Sequence, residues 1–282
     1  GVFDFGAENW GPQPIRVLLA NNGGAINLAV GVAGDLGIET YADLKGKRVS
    51  YIVGAPALNV NTEAYLAYGG LTWDDVERVD FGGFGASWTG LIEGQVDAAF
   101  ASTNSGKAYE AEAGPRGLFW PPVDPDDTEG FARMQEIAPF FTLNKAKVGA
   151  TIDGTDGYQG AGYAYPVLTS IAATDEALVY NMTKAMVELF PKYDGNSPGI
   201  GGWALDKQNM EWVVPYHEGA IRYFEEVGAW SDTAQAHNDK LVKRQEALAA
   251  AWEATKASNP SDWEAAWSEA RRKALADGGF SV

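Results

Sequence analysis

The sequence predicts an α/β fold with a mainly parallel sheet, and three observations support that fold class. Short apolar runs at 26–34, 47–53 and 95–103 have the length of buried strands. Helical patterns separate these runs, as at residues 62–70, where two glycines end the pattern. Strands that alternate with helices at this spacing are typical of βαβ units, whose strands run parallel.

The first half of the chain supplies further elements of this alternation. An apolar run at 14–20 predicts a first strand, and the joint "NNGG" separates it from the second strand. A strand is also predicted at 76–81, and a helix follows it at 86–94. We expect "NNGG" to be flexible enough to carry the chain from one lobe to another.

The second half begins with a long loop at 114–129, which is rich in Pro and Asp and is followed by a helix. A glycine-rich stretch then leads to a strand-like run at 165–172, and we expect the chain to cross between lobes near Gly160. A helix is predicted at about 175–190, with Thr174 as its N-terminal cap. Another glycine-rich loop lies at 194–202.

Residues 231–282 differ in composition, since they are rich in Ala, Glu and Lys and predict two helices. Ser261 and Glu264 form a capping-box pattern at the start of the second helix, and Gly278 suits its C-terminal cap. We expect the apolar face of this extension to pack on the lobe that contains His217. Three tryptophans would make that contact: Trp252, Trp263 and Trp267.

The composition excludes several classes of function. The net charge is −17 over 282 residues, and such a surface repels the phosphates of nucleic acids and of anionic membranes. The chain contains no cysteine, which excludes thiol catalysis, disulfides and Cys-ligated zinc. A cysteine-free chain also fits the oxidising bacterial periplasm.

No apolar run approaches the roughly 18 residues of a membrane span, so we expect no direct membrane insertion. Residues 1–10 lack the basic start and apolar core of a signal peptide. We therefore expect a mature or trimmed chain.

Enzyme signatures are few. His217 and His237 are the two histidines, and the sequence contains neither an HExxH nor a GxSxG pattern. The glycines at 82–90 lack the Lys-Ser/Thr pair of a P-loop and are explained by a loop between strand and helix. The carboxylates at 124–130 lack the alternation of an EF-hand and are explained by a solvated turn. We expect no catalytic residue, no cofactor and no metal site.

The segment at 54–62 is the strongest candidate for ligand contact. Asn59, Asn61 and Thr62 offer two amides and a hydroxyl, and a helix is predicted to begin near Asn61. The N–H groups of a helix start suit a carboxylate or phosphate. Gly54 would allow close approach of the backbone, and Pro56 would stiffen the turn. The simpler alternative is that one asparagine only caps the helix.

A second polar strand end at 101–106 strengthens this interpretation, because ligands of parallel sheets gather beyond the carboxyl ends of strands. Two polar loops at two such ends predict one site. The expected ligand-binding residues are Gly54, Ala55, Pro56, Asn59, Asn61, Thr62, Ser102, Thr103 and Asn104.

Three segments in order carry a resemblance to a known family. Residues 37–76 contain "DLKGKRV" and a G-x-P loop, residues 90–100 read "GLIEGQVDAAF", and residues 214–228 contain "H-x-G-A-x-R-Y". Together they resemble the TAXI family, the extracytoplasmic solute-binding proteins of TRAP transporters, over about residues 14–230. The resemblance implies a two-lobed periplasmic binding protein fold, type II-like, that captures a small organic anion. A carboxylate or amino-acid-like solute would sit in an interlobe cleft and be delivered to TRAP membrane subunits in the periplasm.

The sequence departs from the family pattern in two places, and each changes what the resemblance implies for this chain. A "GTGG" segment that usually opens the family is absent, which implies that part of the N-terminal lobe is missing. The loop that usually reads G-x-P-G-S-G-T is here "GAPALNVNT", so we expect a different solute. The expected domains are a remnant of lobe I with the first crossover at 1–25, lobe II at 26–161, the second crossover and return to lobe I at 162–230, and a helical C-terminal extension at 231–282.

Three alternatives stay open at this point. The chain could be an enzyme on the same fold, such as a pyrimidine-handling relative, with His217 as its candidate base. It could be a solute receptor of an ABC-type transporter. It could also be an interaction protein that uses its Trp-rich extension as a docking surface.

Overall fold

The computed structural model describes residues 11–197 and 199–280. The sequence interpretations that concern residues 1–10 and Pro198 lie outside the described residues. The chain divides into two compact units by its internal contacts. Unit 1 contains the described residues up to Asn21, then Pro166–Asp194 and the residues from Trp203 onward; unit 2 contains Asn22–Tyr165 and Gly195–Gly202.

Unit 2 is built on a twisted five-stranded sheet in the order β4-β3-β5-β2-β6. The predicted α/β class is confirmed, but the sheet is mixed and not mainly parallel. Strand β3 pairs in parallel with β4 and β5, whereas β2 pairs antiparallel with β5 and β6. The strands are β2 (Leu28–Ala33), β3 (Arg48–Ile52), β4 (Glu77–Phe81), β5 (Ala98–Ser102) and β6 (Leu118–Phe119).

The described helices of unit 2 cover this sheet and enclose one hydrophobic core. Strand β2 lies in the middle of that core and is buried along its whole length. The α-helices are α1 (Pro56–Tyr68), α2 (Phe84–Glu93), α3 (Gly106–Glu112) and α4 (Thr128–Ile137). Short 3-10 turns lie at Gly34–Leu36, Tyr41–Leu44 and Trp73–Asp75.

A separate hairpin-like pair, β7 (Thr142–Ala146) and β8 (Tyr158–Gly162), was not predicted. Its glycines hide the strand pattern, because they give no apolar alternation. They are needed for close packing: a Cβ at Gly160 would lie 2.6 Å from Nδ2 of Asn27. The crossing expected near Gly160 therefore falls inside a strand, and the chain leaves unit 2 at Tyr165.

Unit 1 contains a two-stranded antiparallel sheet of β1 (Ile15–Ala20) and β9 (Val167–Ile171). Its helices are α5 (Glu176–Glu188), α6 (Phe190–Tyr193) and α7 (Glu218–Glu226), with a 3-10 turn at Leu205–Lys207. A further 3-10 turn at Ile200–Trp203 spans the point in the chain where unit 2 ends and unit 1 resumes.

Side chains cap the N-terminal ends of both α5 and α7, and the cap of α5 differs from the predicted one. Asp175 caps α5 by accepting a hydrogen bond from the Leu178 N–H, so the prediction of Thr174 as the cap is wrong. His217 caps α7, where its Nδ1 accepts from the Gly219 N–H at 3.1 Å. That bond gives His217 a structural role at the start of α7.

The C-terminal extension forms the two predicted helices, α8 (Asp232–Ser258) and α9 (Trp263–Asp277). Asp262, not Ser261, caps α9 by accepting from the Ala265 N–H, whereas Gly278 ends it as predicted. None of the described helices, including α8, combines the length and apolar character of a membrane crossing.

The tryptophans of this extension pack mainly on one another. The ring centroid of Trp252 lies 4.6 Å from that of Trp263 and 4.8 Å from that of Trp267. The prediction that this face packs on the His217 lobe is therefore corrected. Trp252 also lies against Gly11, where an added Cβ would be 2.6 Å from its ring. A polar contact links α8 to the His217 lobe: Asn238 Oδ1 accepts from the Tyr216 N–H at 2.7 Å.

Candidate functional site

Three loops of unit 2 lie at the same end of the sheet, where the parallel strands β3, β4 and β5 finish. Residues 53–56 follow β3, residues 82–85 follow β4, and residues 103–105 follow β5. Because β3 runs parallel to both neighbours, these loops lie side by side, and the Val53 N–H donates to the Phe81 carbonyl at 2.9 Å. We call residues 53–56, 82–85 and 102–105 the carboxyl edge. This is where α/β sheets place their ligands.

Two helices begin at the carboxyl edge without a side-chain cap. The N-terminal cap residue of α1 is Ala55 and that of α2 is Gly83, and neither makes a side-chain capping hydrogen bond within the described residues. The first N–H groups of a helix have no partner inside the helix and carry its positive end. By contrast, α3 is capped by Ser105, whose Oγ accepts from the Ala108 N–H at 3.2 Å. The start of α2 therefore offers backbone donors to an anion. The start of α1 offers fewer, because Pro56 has no N–H and the Leu58 N–H donates to the Ala55 carbonyl at 3.0 Å.

The residues of the carboxyl edge leave this backbone accessible. Val53 is 57% exposed, and Gly54 adopts a positive φ of 80°, which favours glycine. A Cβ added at Gly54, Gly82 or Gly83 would meet nothing within 4 Å. A small molecule can thus approach the backbone closely at two adjacent loops.

No ionisable side chain lies in the segments that form this edge. Residues 53–62, 82–90 and 101–106 contain no Asp, Glu, His, Lys or Arg. The local field therefore comes from backbone dipoles, which favour negative charge at both helix starts. Glu63 does not compete for these N–H groups, because it is the eighth residue of α1. Burial raises the pKa of its carboxyl group.

Helix α1 begins at Pro56, so the prediction that it starts near Asn61 is wrong. Proline suits the first helical position, since it has no N–H to satisfy and a helical φ. Gly54, Ala55 and Pro56 consequently lie at the helix start. Asn59, Asn61 and Thr62 lie within the helix and are buried.

The side chains of Asn59 and Thr62 make local bonds. Asn59 Oδ1 accepts from the Ile52 N–H at 2.8 Å, and its Nδ2 donates to the Ile52 carbonyl at 2.9 Å. Thr62 Oγ1 donates to the Leu58 carbonyl at 3.1 Å. These contacts fix the end of β3 against α1 and leave little capacity for a ligand.

Asn61 differs from its neighbours. Its Nδ2 donates to the Tyr163 hydroxyl oxygen at 2.9 Å, and its Oδ1 is buried without a partner in the described part of the chain. An unsatisfied buried acceptor costs about 1–3 kcal/mol and is uncommon in native structures. Asn61 therefore has unmet hydrogen-bonding capacity near the start of α1.

The predicted ligand-binding residues at the end of β5 also differ in burial and in their hydrogen-bond partners. Thr103 is buried: its Oγ1 donates to the Val148 carbonyl at 3.0 Å and accepts from the Asn27 N–H at 3.1 Å. Ser102 and Asn104 are half-buried, and the Ser102 hydroxyl donates to Asn104 Oδ1 at 2.5 Å. Thr103 thus holds the loop, while Ser102 and Asn104 lie where they could contact a ligand.

Sequence reasoning missed the loop at 82–85 and Tyr163. The loop could have been found, because its glycines follow a predicted strand just as residues 54–56 do. No sequence signal marks Tyr163, because Asn61 and Tyr163 are far apart in the sequence and only the fold brings them into contact. Within the described residues, no group of His, Asp or Glu side chains could hold a metal ion.

Comparison with known proteins identifies one family. The model of the NMT1-like family matches residues 11–228. No curated protein matches the chain.

Several solved structures resemble the chain at low identity. They include an ABC transporter periplasmic binding protein from Brucella ovis with glutathione bound, with 12% identity, a TM-score of 0.39, and coverage of 66% of this chain and 50% of that one. The substrate-binding protein of an amino acid ABC transporter has 16% identity and a TM-score of 0.36, over 68% of this chain and 63% of its own. An ancestral arginine-binding protein bound to arginine has 20% identity and a TM-score of 0.36, over 66% of this chain and 64% of its own. The chain thus spans less than two thirds of the length of each.

Proposed function

The chain belongs to the NMT1-like family, and from this premise we propose that it is an extracytoplasmic solute-binding protein for a small organic anion. The solute would be a carboxylate or an amino-acid-like acid, held at the carboxyl edge of unit 2. One observation carries the proposal: α1 and α2, uncapped by any described side chain, begin at the adjacent and accessible loops that follow β3 and β4.

The chemistry of this edge suits a carboxylate. Each helix start contributes about 0.3–1 kcal/mol to an anion at an exposed site, and up to ~2 kcal/mol where the site is partly buried. Each hydrogen bond to a charged group adds about 1.5–3 kcal/mol. Since 1.4 kcal/mol is one decade of affinity, a few such contacts select an acid over a neutral analogue.

The resemblance to the TAXI family supports two finer parts of the proposal. The solute would be captured in the periplasm, and the loaded protein would deliver it to the membrane subunits of a TRAP transporter. Residues 37–76, 90–100 and 214–228 support this choice. Delivery to an ABC-type transporter is the alternative.

Energy coupling separates these two routes. We expect uptake of radiolabelled solute, in cells that carry the protein and its transporter, to continue when ATP is depleted while the ion gradient is kept. Uptake that stops with ATP depletion and survives collapse of the gradient would favour the ABC-type route.

The proposal is tested by binding measurements on the purified chain. Calorimetry with acetate, pyruvate, succinate and L-glutamate should detect at least one bound acid, and succinamide should bind more weakly than succinate. Mass analysis after incubation should return each bound acid unchanged, since we propose binding without chemistry. The proposal fails if none of the acids binds, if succinamide binds as tightly as succinate, or if a new product forms.

A further inference from the structure

We infer that the Tyr163 hydroxyl, oriented by Asn61, donates a hydrogen bond to the bound acid and helps to determine which acids are accepted. This inference rests on the proposed function and adds a residue to its site. It starts from the bond between Asn61 Nδ2 and the Tyr163 hydroxyl oxygen and from the unmet Oδ1 beside it.

The register of unit 2 places Asn61 near the carboxyl ends of the strands. Leu28, the first residue of β2, pairs with Ser102, the last residue of β5. The Tyr65 hydroxyl donates to the Leu28 carbonyl at 2.7 Å, so Tyr65 already lies level with the carboxyl edge. Asn61 is one helical turn closer to the start of α1, on the same face. It therefore lies close to the end of the sheet where these strands finish.

Tyr163 reaches the same level from β8. Gly162, the last residue of that strand, lies against the residues that precede β2: a Cβ there would be 3.6 Å from the Ile26 carbonyl oxygen. Ile26 precedes the first residue of β2 and so lies outside the sheet at the carboxyl edge. Tyr163 follows Gly162 at that edge, and its side chain meets Asn61 there.

The hydrogen-bond pattern decides what Tyr163 can offer. A tyrosine hydroxyl can accept and can donate one hydrogen. Because its oxygen accepts from Asn61 Nδ2, its hydrogen is left to donate elsewhere.

The surroundings keep this donor fixed and protonated. The Tyr163 ring is held by Phe140 and Phe141, with ring centroids 4.7 and 5.2 Å away. Burial raises the pKa of Tyr163 to about 12, so the hydroxyl stays neutral at the pH of the periplasm. A rigid neutral donor at the same end of the sheet as the start of α1 suits an acceptor oxygen of a small acid.

Substitution of Tyr163 tests the inference. We expect Tyr163→Phe to lower the affinity for those acids that bind the wild type by about tenfold or more, as measured by calorimetry. The acids to be tested are acetate, pyruvate, succinate and L-glutamate. Tyr158→Phe is the matched control: its hydroxyl donates to the Pro121 carbonyl at 2.8 Å inside the core of the same unit. That variant should lower the melting temperature and leave affinities within about twofold.

Asn61 is a positioning residue, and a double-mutant cycle tests that role. If Asn61 acts through Tyr163, Asn61→Leu should weaken binding, and adding Tyr163→Phe should cause little further loss. Additive losses, or no loss in Asn61→Leu, would show that Asn61 does not orient the hydroxyl. Unchanged affinity in Tyr163→Phe would overturn the inference while the proposed function stands. Failure of every acid to bind the wild type would overturn the proposed function, and the inference with it.

Discussion

Asn59 and Asn61 lie two residues apart and have different surroundings. Asn59 points at β3 and satisfies both backbone groups of Ile52, whereas Asn61 points toward β8 and meets Tyr163. Helix periodicity separates the two faces, because residues two apart on a helix do not share a side. The sequence could not assign the two roles without the correct start of α1.

This difference predicts different costs of substitution. Asn59→Leu leaves the buried N–H of Ile52 without its partner, while the Ile52 carbonyl still accepts from the Ala55 N–H at 3.1 Å. We therefore expect the free energy of unfolding to fall by about 1–3 kcal/mol. Asn61→Leu removes an amide that already has an unmet acceptor, so its cost should be smaller. Urea unfolding of the two variants checks the order. An Asn59→Leu variant as stable as the wild type would show that the Ile52 contacts contribute nothing.

Asp97 gives a pH-dependent prediction away from the site. It accepts hydrogen bonds from the Arg48 backbone N–H at 3.0 Å and from Nη2 of the same residue at 2.6 Å, at the edge of the sheet where β3 begins. Burial alone would raise the pKa of Asp97, but the bonds from Arg48 lower it below its ordinary value of 3.8. A lowered folded-state pKa means that this stabilisation is present above pH 3.8 and is lost as the pH falls further.

We therefore expect Asp97→Asn to lower the free energy of unfolding by about 1.5–3 kcal/mol at pH 7. The difference from the wild type should shrink as the pH is lowered below 3.8. The exposed Asp80 supplies the control, since Asp80→Asn should change little at either pH. A cost for Asp97→Asn that is independent of pH would contradict the assigned ionic contact.

At the scale of the elements, helix and strand patterns predicted the order of β2, β3, β4 and β5 with the helices between them. Two features escaped prediction. The glycine-rich β8 lacks an apolar pattern, since its close packing against Asn27 requires glycine. The start of α1 was placed too late, because asparagine is a favoured cap and the buried Asn59 contact with Ile52 depends on tertiary packing.

The pairing of α8 and α9 gives a prediction for the C-terminal extension. Trp252 is buried between Trp263 and Trp267 in a cluster separate from the core of β1 and α7. Trp252→Ala should cost about 3–5 kcal/mol of local stability and lower the melting temperature. Affinity for succinate or L-glutamate should not change, since the extension belongs to unit 1 and the candidate site to unit 2. Glu253→Ala, at the exposed neighbouring position, is the control; a change in affinity in Trp252→Ala alone would contradict this separation.

At the scale of the whole molecule, a net charge of −17 surrounds a candidate site without ionisable side chains. The long-range field repels an anion, while the two helix starts attract it at short range. Long-range repulsion combined with short-range attraction distinguishes this site from one that attracts its ligand with surface charge. It also explains why composition alone could not identify the ligand.

Ionic strength should therefore act on the association rate. Raising the salt concentration from 0.01 to 0.15 M shortens the screening length from about 30 to about 8 Å. We expect the association rate constant of an acid to rise, by less than about tenfold, and to rise more for succinate than for acetate. Stopped-flow measurements check this. A rate that falls with salt would indicate an attractive surface field.

The candidate site was predicted only in part from the sequence, for a physical reason. Polar side chains drew attention to the strand ends at 54–62 and 101–106, but several of them, such as Thr103, hold the backbone in place. The donors that matter most in the proposal are backbone N–H groups, which no side chain marks. The glycines at 82–90 lack the Lys-Ser/Thr pair of a P-loop, so the sequence predicts only a connecting loop there.

A carboxylate placed at Gly83 tests the central claim most directly. Gly83 is the N-terminal cap of α2, its φ of −179° is open to any residue, and a Cβ there meets nothing within 4 Å. Gly83→Asp would cap α2 with its own anion, and Gly83→Asn would cap it without charge. Calorimetry on both variants, with the acids that bind the wild type, is the measurement. If the helix starts hold the solute, Gly83→Asp will bind these acids at least about tenfold more weakly than Gly83→Asn, with a melting temperature equal to or above that of the wild type. Equal affinities in the wild type and both variants would contradict the account.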